Sequence, residues 1–240
     1  MIPKKYHLTT KDGSLNKNEK VIVEKNIKLL GSGWNVRIYS DKDNDEILKQ
    51  YYPEFIQRFN TIKKGVVKAD IMRCLYMHQF GGIYSDTDYQ FLRPLPDSIL
   101  NNQCIIPAEC VRPENYKLCN CLFMSEAGNA FWYDFVDEVL NTISIDTIAE
   151  KDIIPTSGPV GITKFYLANK NKYRKITISD PIMFFPLKHR WELLKKANPN
   201  TYGVHYCLAS WRNVPIFKRI LMTFIQNMQV KGWNFRKISE

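Results

Sequence analysis

Residues 65–88, with the sequence GVVKADIMRCLYMHQFGGIYSDTD, predict a helix, a strand and an acidic triplet at the centre of the fold. Apolar side chains recur along it at helical spacing, and the glycine pair that follows supplies a natural stop. The spacing therefore predicts a helix over 65–81. Residues 83–85 (IYS) predict a very short strand, which leads directly into the acidic triplet DTD at 86–88.

The segments on either side alternate between strand and helix patterns. Residues 34–39 (WNVRIY) alternate apolar and polar side chains, which is typical of a half-buried strand. The other predicted elements are strands over 6–10, 103–108 and 118–125 and helices over 17–30, 41–52 and 130–143. This alternation predicts an α/β fold with a single mixed central sheet flanked by helices.

Composition excludes several classes of protein. The chain has 240 residues, of which 45% are apolar, and a formal net charge of +10. A disordered chain would be poorer in apolar residues, and no stretch approaches the ~18 consecutive apolar residues of a membrane-spanning helix. The positive charge, which is dense over 164–199, fits either a lysine-rich surface or an anionic partner.

Two further features bear on location. The first residues, MIPKKYHLTTKDG, lack the apolar run of a signal peptide. The six cysteines show no C-x-x-C spacing, and the sequence contains no N-x-[ST] acceptor for glycosylation. We therefore expect free thiols and a cytoplasmic protein, with peripheral contact to the inner face of the cell membrane as an open alternative.

Four charged side chains within 70–88 are candidates for chemistry. Asp86 and Asp88 stand at i and i+2 in extended backbone, so their carboxylates point to the same side. Charges this close oppose each other's ionisation, and a divalent cation removes the repulsion because hard cations prefer carboxylate oxygens. On the preceding helix, Asp70 and Arg73 share one partly apolar face. A D-x-D triplet is common on surface loops and an Asp–Arg pair is a common ion pair, but their combination indicates a site.

The pattern A-D-x-x-R…G-G-x-Y-x-D-x-D over 69–88 resembles the core of glycosyltransferase family 32. This DXD-containing family includes initiating α-1,6-mannosyltransferases and bacterial capsule and lipopolysaccharide sugar transferases, and it is distantly similar to the clostridial glucosylating toxins. Segments 2–7, 33–53, 156–159 and 205–211 resemble the same family. The resemblance implies a GT-A-type, Rossmann-like catalytic domain over 1–212, followed by a basic amphipathic C-terminal segment over 213–240.

The resemblance also implies catalytic and metal-binding roles for the matching residues. Asp88 should bind a divalent metal, Mn²⁺ or Mg²⁺, with Asp86 and His205 as further ligands. Asp86 should also face the ribose or the sugar of the nucleotide-sugar donor. Asp70 and Arg73 should hydrogen-bond the donor sugar, with Arg73 near the leaving phosphate as well.

Other matching residues should line the donor site. Tyr84 lies on the strand that ends at the acidic triplet, where it can contact the sugar or the nucleotide. Asn120 and Gly158 should line the sugar and acceptor side. Ser210 and Trp211 should close over the donor, with the indole N–H of Trp211 offered to the diphosphate or the glycosidic oxygen.

The implied activity is metal-dependent, retaining transfer of a hexose from a nucleotide sugar to a glycan or lipid-linked acceptor, such as a lipopolysaccharide or capsule intermediate. A UDP-hexose is favoured over GDP-mannose as donor, and no nucleic-acid-binding motif accompanies the positive charge. An inverting enzyme would need a carboxylate general base; no carboxylate stands out for that role, and Glu109, Glu114 and Asp152 stay open. The alternatives are an inactive nucleotide-sugar-binding protein and a D-x-D phosphohydrolase.

Some features leave choices open. Residues 7–10 (HLTT) and Ser157 depart from the family pattern, which bears on the choice of donor. Trp34 fits either stacking on the donor base or core packing, and core packing is favoured. Residues 216–228 carry an apolar helical stripe flanked by basic residues. This stripe fits either a helix packed on the domain or, over 215–237, an interfacial helix on an anionic membrane.

Overall fold

The computed structural model describes residues 1–142, 147–186 and 199–206. The strands are β1 (Lys5–Thr9), β2 (Asn35–Tyr39), β3 (Gly82–Ser85), β4 (Tyr89–Phe91), β5 (Cys104–Arg112), β6 (Asn115–Leu118), β7 (Leu122–Ser125), β8 (Ile176–Ser179) and β9 (Gly203–His205). The helices are α1 (Lys17–Leu30), α2 (Asp41–Tyr51), α3 (Ile56–Thr61), α4 (Gly65–Phe80), α5 (Asp97–Leu100), α6 (Ala130–Thr142), α7 (Glu150–Thr156), α8 (Pro159–Asn169) and α9 (Pro181–Phe184), with a 3₁₀ turn at Pro53–Phe55.

Seven of the strands form one mixed sheet. Its order is β2-β1-β3-β7-β5-β6, and β8 also pairs with β5. Strands β2, β1 and β3 run parallel, β7 is antiparallel to both of its neighbours, and β8 is parallel to β5. The carboxyl ends of β1 and β3 therefore meet the amino end of β7 at one end of the sheet. The predicted α/β fold with a single mixed central sheet flanked by helices is confirmed.

The sheet separates two hydrophobic cores because neighbouring residues of a strand point to opposite faces. Tyr84 and Phe123 pack on the face that is covered by α4 and α6, whereas Ile83 and Met124 pack on the other face. Helix α4 contacts β1, β3 and β7 on one side and α6 on the other. The helix that carries the predicted sugar-binding pair is thus held by packing on two sides.

The turn from α4 into β3 depends on two glycines. Gly81 has φ 59° and Gly82 has φ 102°, and both values lie in the region that favours glycine. A Cβ on Gly82 would collide with the backbone of Lys5 in β1, and a Cβ on Gly81 would collide with the backbone at Ala127. The close contact of β3 with β1, which sets the direction in which the chain enters the acidic triplet, therefore requires these glycines.

Replacing Gly82 by alanine is expected to lower the free energy of unfolding by about 2–4 kcal/mol, because backbone strain and overpacking both contribute. Urea denaturation of the purified protein measures this change. Gly128→Ala is the matched control, since Gly128 has φ 74° but no neighbouring atom lies within 4 Å of the place that a Cβ would occupy. A loss no greater for Gly82→Ala than for Gly128→Ala would show that the close approach to β1 carries no cost.

The predicted elements are confirmed except at one place. The pattern predicts one strand over 118–125, and this prediction is wrong because β6 ends at Leu118 and β7 begins at Leu122. The backbone of the break is used in other contacts. The Asn120 carbonyl accepts a hydrogen bond from Arg73, and the Cys121 carbonyl accepts one from the Asp86 amide at 2.9 Å. Strand pairing is interrupted where the chain contacts the charged residues of 70–88.

The expectation of thiols without disulfides holds where the structure describes cysteines, since Cys74, Cys104, Cys110, Cys119 and Cys121 form no disulfide with one another. Within the same described ranges, no helix has both the length and the apolar character that crossing a bilayer requires. Ser210, Trp211 and the C-terminal segment 213–240, including 215–237, lie outside the described residues. The domain boundary after residue 212 stays a prediction.

Candidate active site

A cavity of about 760 Å³ opens at the end of the sheet where β1 and β3 finish and β7 begins. Ligand sites in α/β proteins form outside the carboxyl ends of strands, so its place in the fold is typical of such a site. The predicted site residues that line this cavity are Asp70, Arg73, Tyr84, Asp86, Asp88, Asn120, Gly158 and His205. The cavity therefore brings together every predicted site residue that the structure describes.

Three potential metal ligands lie together in this cavity. Nε2 of His205 is 2.9 Å from Oδ1 of Asp88 and 3.8 Å from Oδ2 of Asp86. One ligand atom from each of the three residues falls within 4.8 Å of the others. The predicted metal-binding set of Asp86, Asp88 and His205 is thus brought together by the fold.

Strand pairing away from the central sheet places His205 beside the acidic triplet. Strand β9 runs antiparallel to β4, with His205 opposite Tyr89. The Tyr206 amide then donates to the Asp88 carbonyl at 3.0 Å. Because β4 begins directly after the triplet, pairing with it fixes His205 against Asp88.

The donor atoms suit a divalent cation. Two carboxylates and one imidazole form the mixed oxygen and nitrogen set that Mn²⁺ accepts, whereas Mg²⁺ prefers oxygen. An octahedral ion with bonds of about 2.1 Å separates neighbouring ligands by about 3.0 Å. His205 lies 2.9 Å from Asp88, close to that separation, and 3.8 Å from Asp86, so the three residues could together hold one ion.

A second group of contacts surrounds the carboxylate of Asp70. Nη2 of Arg73 lies 3.2 Å from its Oδ1, and the side chains of Asp70 and Arg73 are only 3% and 8% exposed. The Asn120 side-chain amide donates to the same Oδ1 at 3.1 Å. The Ser157 hydroxyl donates to Oδ2 at 2.8 Å. Asp70 is thereby fixed by a residue of its own helix, by the break between β6 and β7, and by the end of α7.

Arg73 joins the two groups of contacts. Its Nη1 lies 3.0 Å from Oδ1 of Asp86, and its guanidinium lies 4.9 Å from the centre of the Tyr84 ring. The Tyr84 hydroxyl donates to the same oxygen of Asp86 at 2.8 Å. Oδ1 of Asp86 thus contacts Arg73 and Tyr84, whereas Oδ2 faces His205 of the metal-ligand set.

The electrostatics of the site reflect burial opposed by ion pairing. Burial raises the pKa of Asp70 to about 6, although Arg73 and the Ser157 hydroxyl act to lower it. Burial also raises the pKa of Asp86, which Arg73 lowers and Asp88 raises. Burial alone would lower the pKa of Arg73, but the Asp86 carboxylate brings it above its usual range. Perturbed groups gathered in a cavity are typical of functional sites.

The sequence did not identify two contributors. Ser157 stands out in the sequence only as a departure from the family pattern, yet it is buried and contacts Asp70. Glu19, in the first turn of α1, accepts a hydrogen bond at 2.9 Å from the hydroxyl of Thr87, the middle residue of the triplet. The hydroxyl of Ser157 beside the Gly158-Pro159 helix start was the available signal for the first. Nothing in the sequence pointed to the second.

Trp34 and His7 do not belong to the group of donor-site contacts described above. Trp34 packs partly buried against the core on the side of β1 and β2, and it is not among the described residues that line the cavity. His7 is buried, where its Nε2 donates to the Gly81 carbonyl and its Nδ1 accepts from the Tyr39 hydroxyl. Burial lowers the pKa of His7 to about 4, so it is a neutral structural residue at physiological pH.

Comparison with known proteins agrees with this arrangement. Residues 5–106 match the family described as the glycosyltransferase sugar-binding region containing a DXD motif. The initiation-specific alpha-1,6-mannosyltransferase of Candida albicans is 31% identical over 72 residues, which are 29% of this chain and 19% of that protein. Inositol phosphoceramide mannosyltransferase 1 of Schizosaccharomyces pombe is 21% identical over 180 residues, which are 75% of this chain and 52% of that protein. This chain thus spans about half or less of these relatives.

A solved structure supports the fold. The apo-form glycosyltransferase GlyE of Streptococcus pneumoniae superimposes with a TM-score of 0.50 at 10% sequence identity, covering 97% of this chain and 63% of that chain. At this identity the similarity concerns the fold alone, which is of the GT-A type. The match of residues 5–106 to the DXD-containing glycosyltransferase family agrees with the resemblance drawn from the 69–88 pattern.

Proposed function

We propose that this protein transfers a hexose from a nucleotide sugar to a hydroxyl group of a glycan or lipid-linked acceptor, and that the reaction depends on a divalent metal, Mn²⁺ or Mg²⁺. The observation that carries the proposal is the grouping of Asp86, Asp88 and His205 within 4.8 Å on the wall of the cavity, beside the Asp70–Arg73 pair. Two ligand carboxylates next to a buried guanidinium suit a diphosphate leaving group and its cation.

Each residue has a distinct task in this reaction. Asp86, Asp88 and His205 would hold the cation, which would offset the charge that develops on the departing diphosphate. Arg73 is fixed by its contacts with Asp70 and Asp86, so it stabilises the same charge without reorganising. Asp70 accepts a hydrogen bond from a hydroxyl of the donor sugar and so orients the anomeric carbon.

The stereochemical outcome that we propose is retention. Inversion needs a carboxylate base on the side of the acceptor. Glu114 and Asp152 are exposed and are not among the described residues that line the cavity. Glu109 lines it, but its carboxylate is 2.5 Å from Lys117. In a retaining transfer the proton of the acceptor hydroxyl passes to the departing diphosphate oxygen, and no protein base is needed.

The donor is proposed as a UDP-hexose, as the resemblance implied. The two curated relatives are named as mannosyltransferases, so a mannose donor is the main competitor. A surface glycan or a lipid-linked saccharide remains the proposed acceptor. Both choices are open to direct measurement.

A panel of nucleotide sugars tests the proposal. UDP-glucose, UDP-galactose and GDP-mannose are each mixed with the protein and Mn²⁺, and thermal melting, donor hydrolysis and the anomeric configuration of any product are measured. One donor at 100 times its Kd should raise the melting temperature by about 5–10 °C, and a chelator should remove the shift. If no nucleotide sugar is bound or hydrolysed with Mn²⁺ or Mg²⁺, the proposed function is wrong.

A further inference from the structure

An ion pair that the mechanism above does not use lines the same cavity. Nζ of Lys117 lies 2.5 Å from Oε2 of Glu109, and the two side chains are 32% and 18% exposed. Both residues belong to the hairpin of β5 and β6, and both line the cavity. They are therefore partly withdrawn from solvent while they remain in contact with the cavity.

An irregularity in the hairpin occurs at Glu109. Strand β5 pairs with β6 at Ala108 opposite Leu118 and next at Cys110 opposite Lys117, so the register shifts between 108 and 110. A β-bulge bends its strand and redirects the side chain of the extra residue, and bulges are frequent beside active sites. The bulge thus accounts for the presence of the Glu109 carboxylate in the cavity wall.

A second ion pair in the same hairpin offers a comparison. Arg112 and Glu114 lie 3.6 Å apart at the exposed turn, and neither is among the described residues that line the cavity. Exposed pairs of this kind add little to stability. Withdrawing the charges of Glu109 and Lys117 from water costs desolvation free energy. An ordinary hairpin forms without such a partly buried ion pair.

The pair of Glu109 and Lys117 has no net charge, but it keeps hydrogen-bond donors and acceptors that a ligand can use. A carboxylate accepts at about four positions and an ammonium group donates three hydrogen bonds, and the contact between Glu109 and Lys117 uses only part of that capacity. A hydroxyl group can donate to the carboxylate and accept from the ammonium. A phosphate gains from Lys117 but is repelled by Glu109, so the pair favours a neutral polyol.

The pair adjoins the donor residues. Asn120 follows Lys117 by three positions, and its side chain donates to Asp70. Helix α8 packs on β6, and Ile153 and Pro159 add an apolar wall to the cavity. Acceptors and donors next to an apolar wall suit a sugar ring, which has hydroxyl groups at its edge and C–H groups on its faces.

We propose that Glu109 and Lys117 form the acceptor subsite of this cavity and that they bind hydroxyl groups of a neutral saccharide. This inference rests on the proposed glycosyltransferase function. One saccharide hydroxyl donates to Glu109 and a second accepts from Lys117, which orients a neighbouring hydroxyl toward the donor.

The test compares transfer with hydrolysis, using the best donor of the nucleotide-sugar panel. The acceptor probes are methyl α-mannoside, methyl α-glucoside and methyl α-galactoside, with mannose 6-phosphate as an anionic probe and 1-octanol as a non-saccharide. Glu109→Ala should raise the acceptor KM and lower the ratio of transfer to hydrolysis by about 10- to 100-fold, the range for hydrogen bonds to charged groups. Glu114→Ala, the matched control in the same hairpin, should keep the wild-type ratio.

Lys117→Met is the second variant, and it should lower the ratio in the same direction, with thermal melting as the check that both variants fold. A wild-type ratio in Glu109→Ala and Lys117→Met would overturn the acceptor subsite and leave the donor site in place. An equal loss of hydrolysis and transfer would also overturn it, since Glu109 would then act on the donor. A preference for mannose 6-phosphate or 1-octanol over every hexoside would overturn the neutral-saccharide assignment. Absence of donor turnover in the wild type would overturn the proposed function as well.

Discussion

Asp88→Asn is expected to reduce metal-dependent donor turnover by about 10²–10³-fold or more, the range seen when a transition-state charge loses one preorganised partner. The asparagine side chain would keep the shape of the aspartate and a hydrogen-bond acceptor for His205, so the fold should be retained. It would lack the negative charge with which a carboxylate binds a hard cation more strongly than a neutral amide oxygen does. Donor hydrolysis and transfer rates, measured against Mn²⁺ concentration, report the loss.

The matched control for this variant is Asp137→Asn. Asp137 is an exposed carboxylate on α6 that accepts a hydrogen bond from Asn141, and it is not among the described residues that line the cavity. Its substitution removes the same charge from the protein and should leave turnover and the Mn²⁺ dependence unchanged. Wild-type turnover by Asp88→Asn in the presence of a chelator would exclude a metal role for the triplet.

Arg73→Met is expected to lower the free energy of unfolding at pH 7.5 by about 3–5 kcal/mol, since removing one partner of a buried ion pair leaves an uncompensated charge. Asp70 and Asp86 both lie within 3.2 Å of the Arg73 guanidinium. Methionine fills similar space without a charge, so the loss reports electrostatics more than a cavity. Urea denaturation followed by tryptophan fluorescence measures it.

The loss should shrink as the pH falls toward 5. The pKa of Asp70 is about 6 in the folded protein, above its value of about 4 in an unfolded chain. Arg73 acts to lower this pKa, so in Arg73→Met Asp70 takes up its proton at a higher pH than in the wild type. The stability that the variant loses as the pH rises is therefore recovered as the pH falls and Asp70 becomes neutral. A deficit in Arg73→Met that is independent of pH would show that the buried carboxylates are not its source.

A surface pair supplies the control for Arg73. Arg37 lies 3.0 Å from Asp43 in an exposed position, and Arg37→Met should lower stability by only about 0–1 kcal/mol. Arg73→Lys should fall between wild type and Arg73→Met, because a lysine keeps the charge but cannot reach both carboxylates with a planar fork. If Arg73→Met and Arg37→Met are equally stable, the ion pairs of Arg73 with Asp70 and Asp86 add nothing to the free energy of unfolding.

Much of the site was predictable because its main residues are close in sequence. Asp70 and Arg73 share a helix face through the 3.6-residue period, and the triplet follows a strand that two glycines announce. The relative positions of the charged residues between 70 and 88 therefore follow from local secondary structure. The resemblance added His205, whose ring contacts Asp88 across 117 positions of the chain. No local period relates residues so far apart.

The parts that escaped prediction depend on packing between elements. The break at 119–121 lies in an apolar run that local patterning assigns to a strand, whereas its carbonyl groups accept hydrogen bonds from Arg73 and from the Asp86 amide. Ser157, at the end of α7, donates to Asp70 of α4 across 87 positions of the chain. Glu19 reads as an ordinary capping residue of α1, and its contact with Thr87 depends on where α1 lies against β4.

The pairing of β9 with β4 has a consequence for synthesis of the protein. Because the chain leaves the ribosome from its amino end, β1, α4 and β3 are synthesised long before β9, and the domain folds as a unit. The acidic triplet is complete by residue 88, but its imidazole partner arrives only with residue 205. The candidate cation site therefore stays incomplete while the next 117 residues are synthesised, so cation binding by all three proposed ligands would report that β9 has paired with β4.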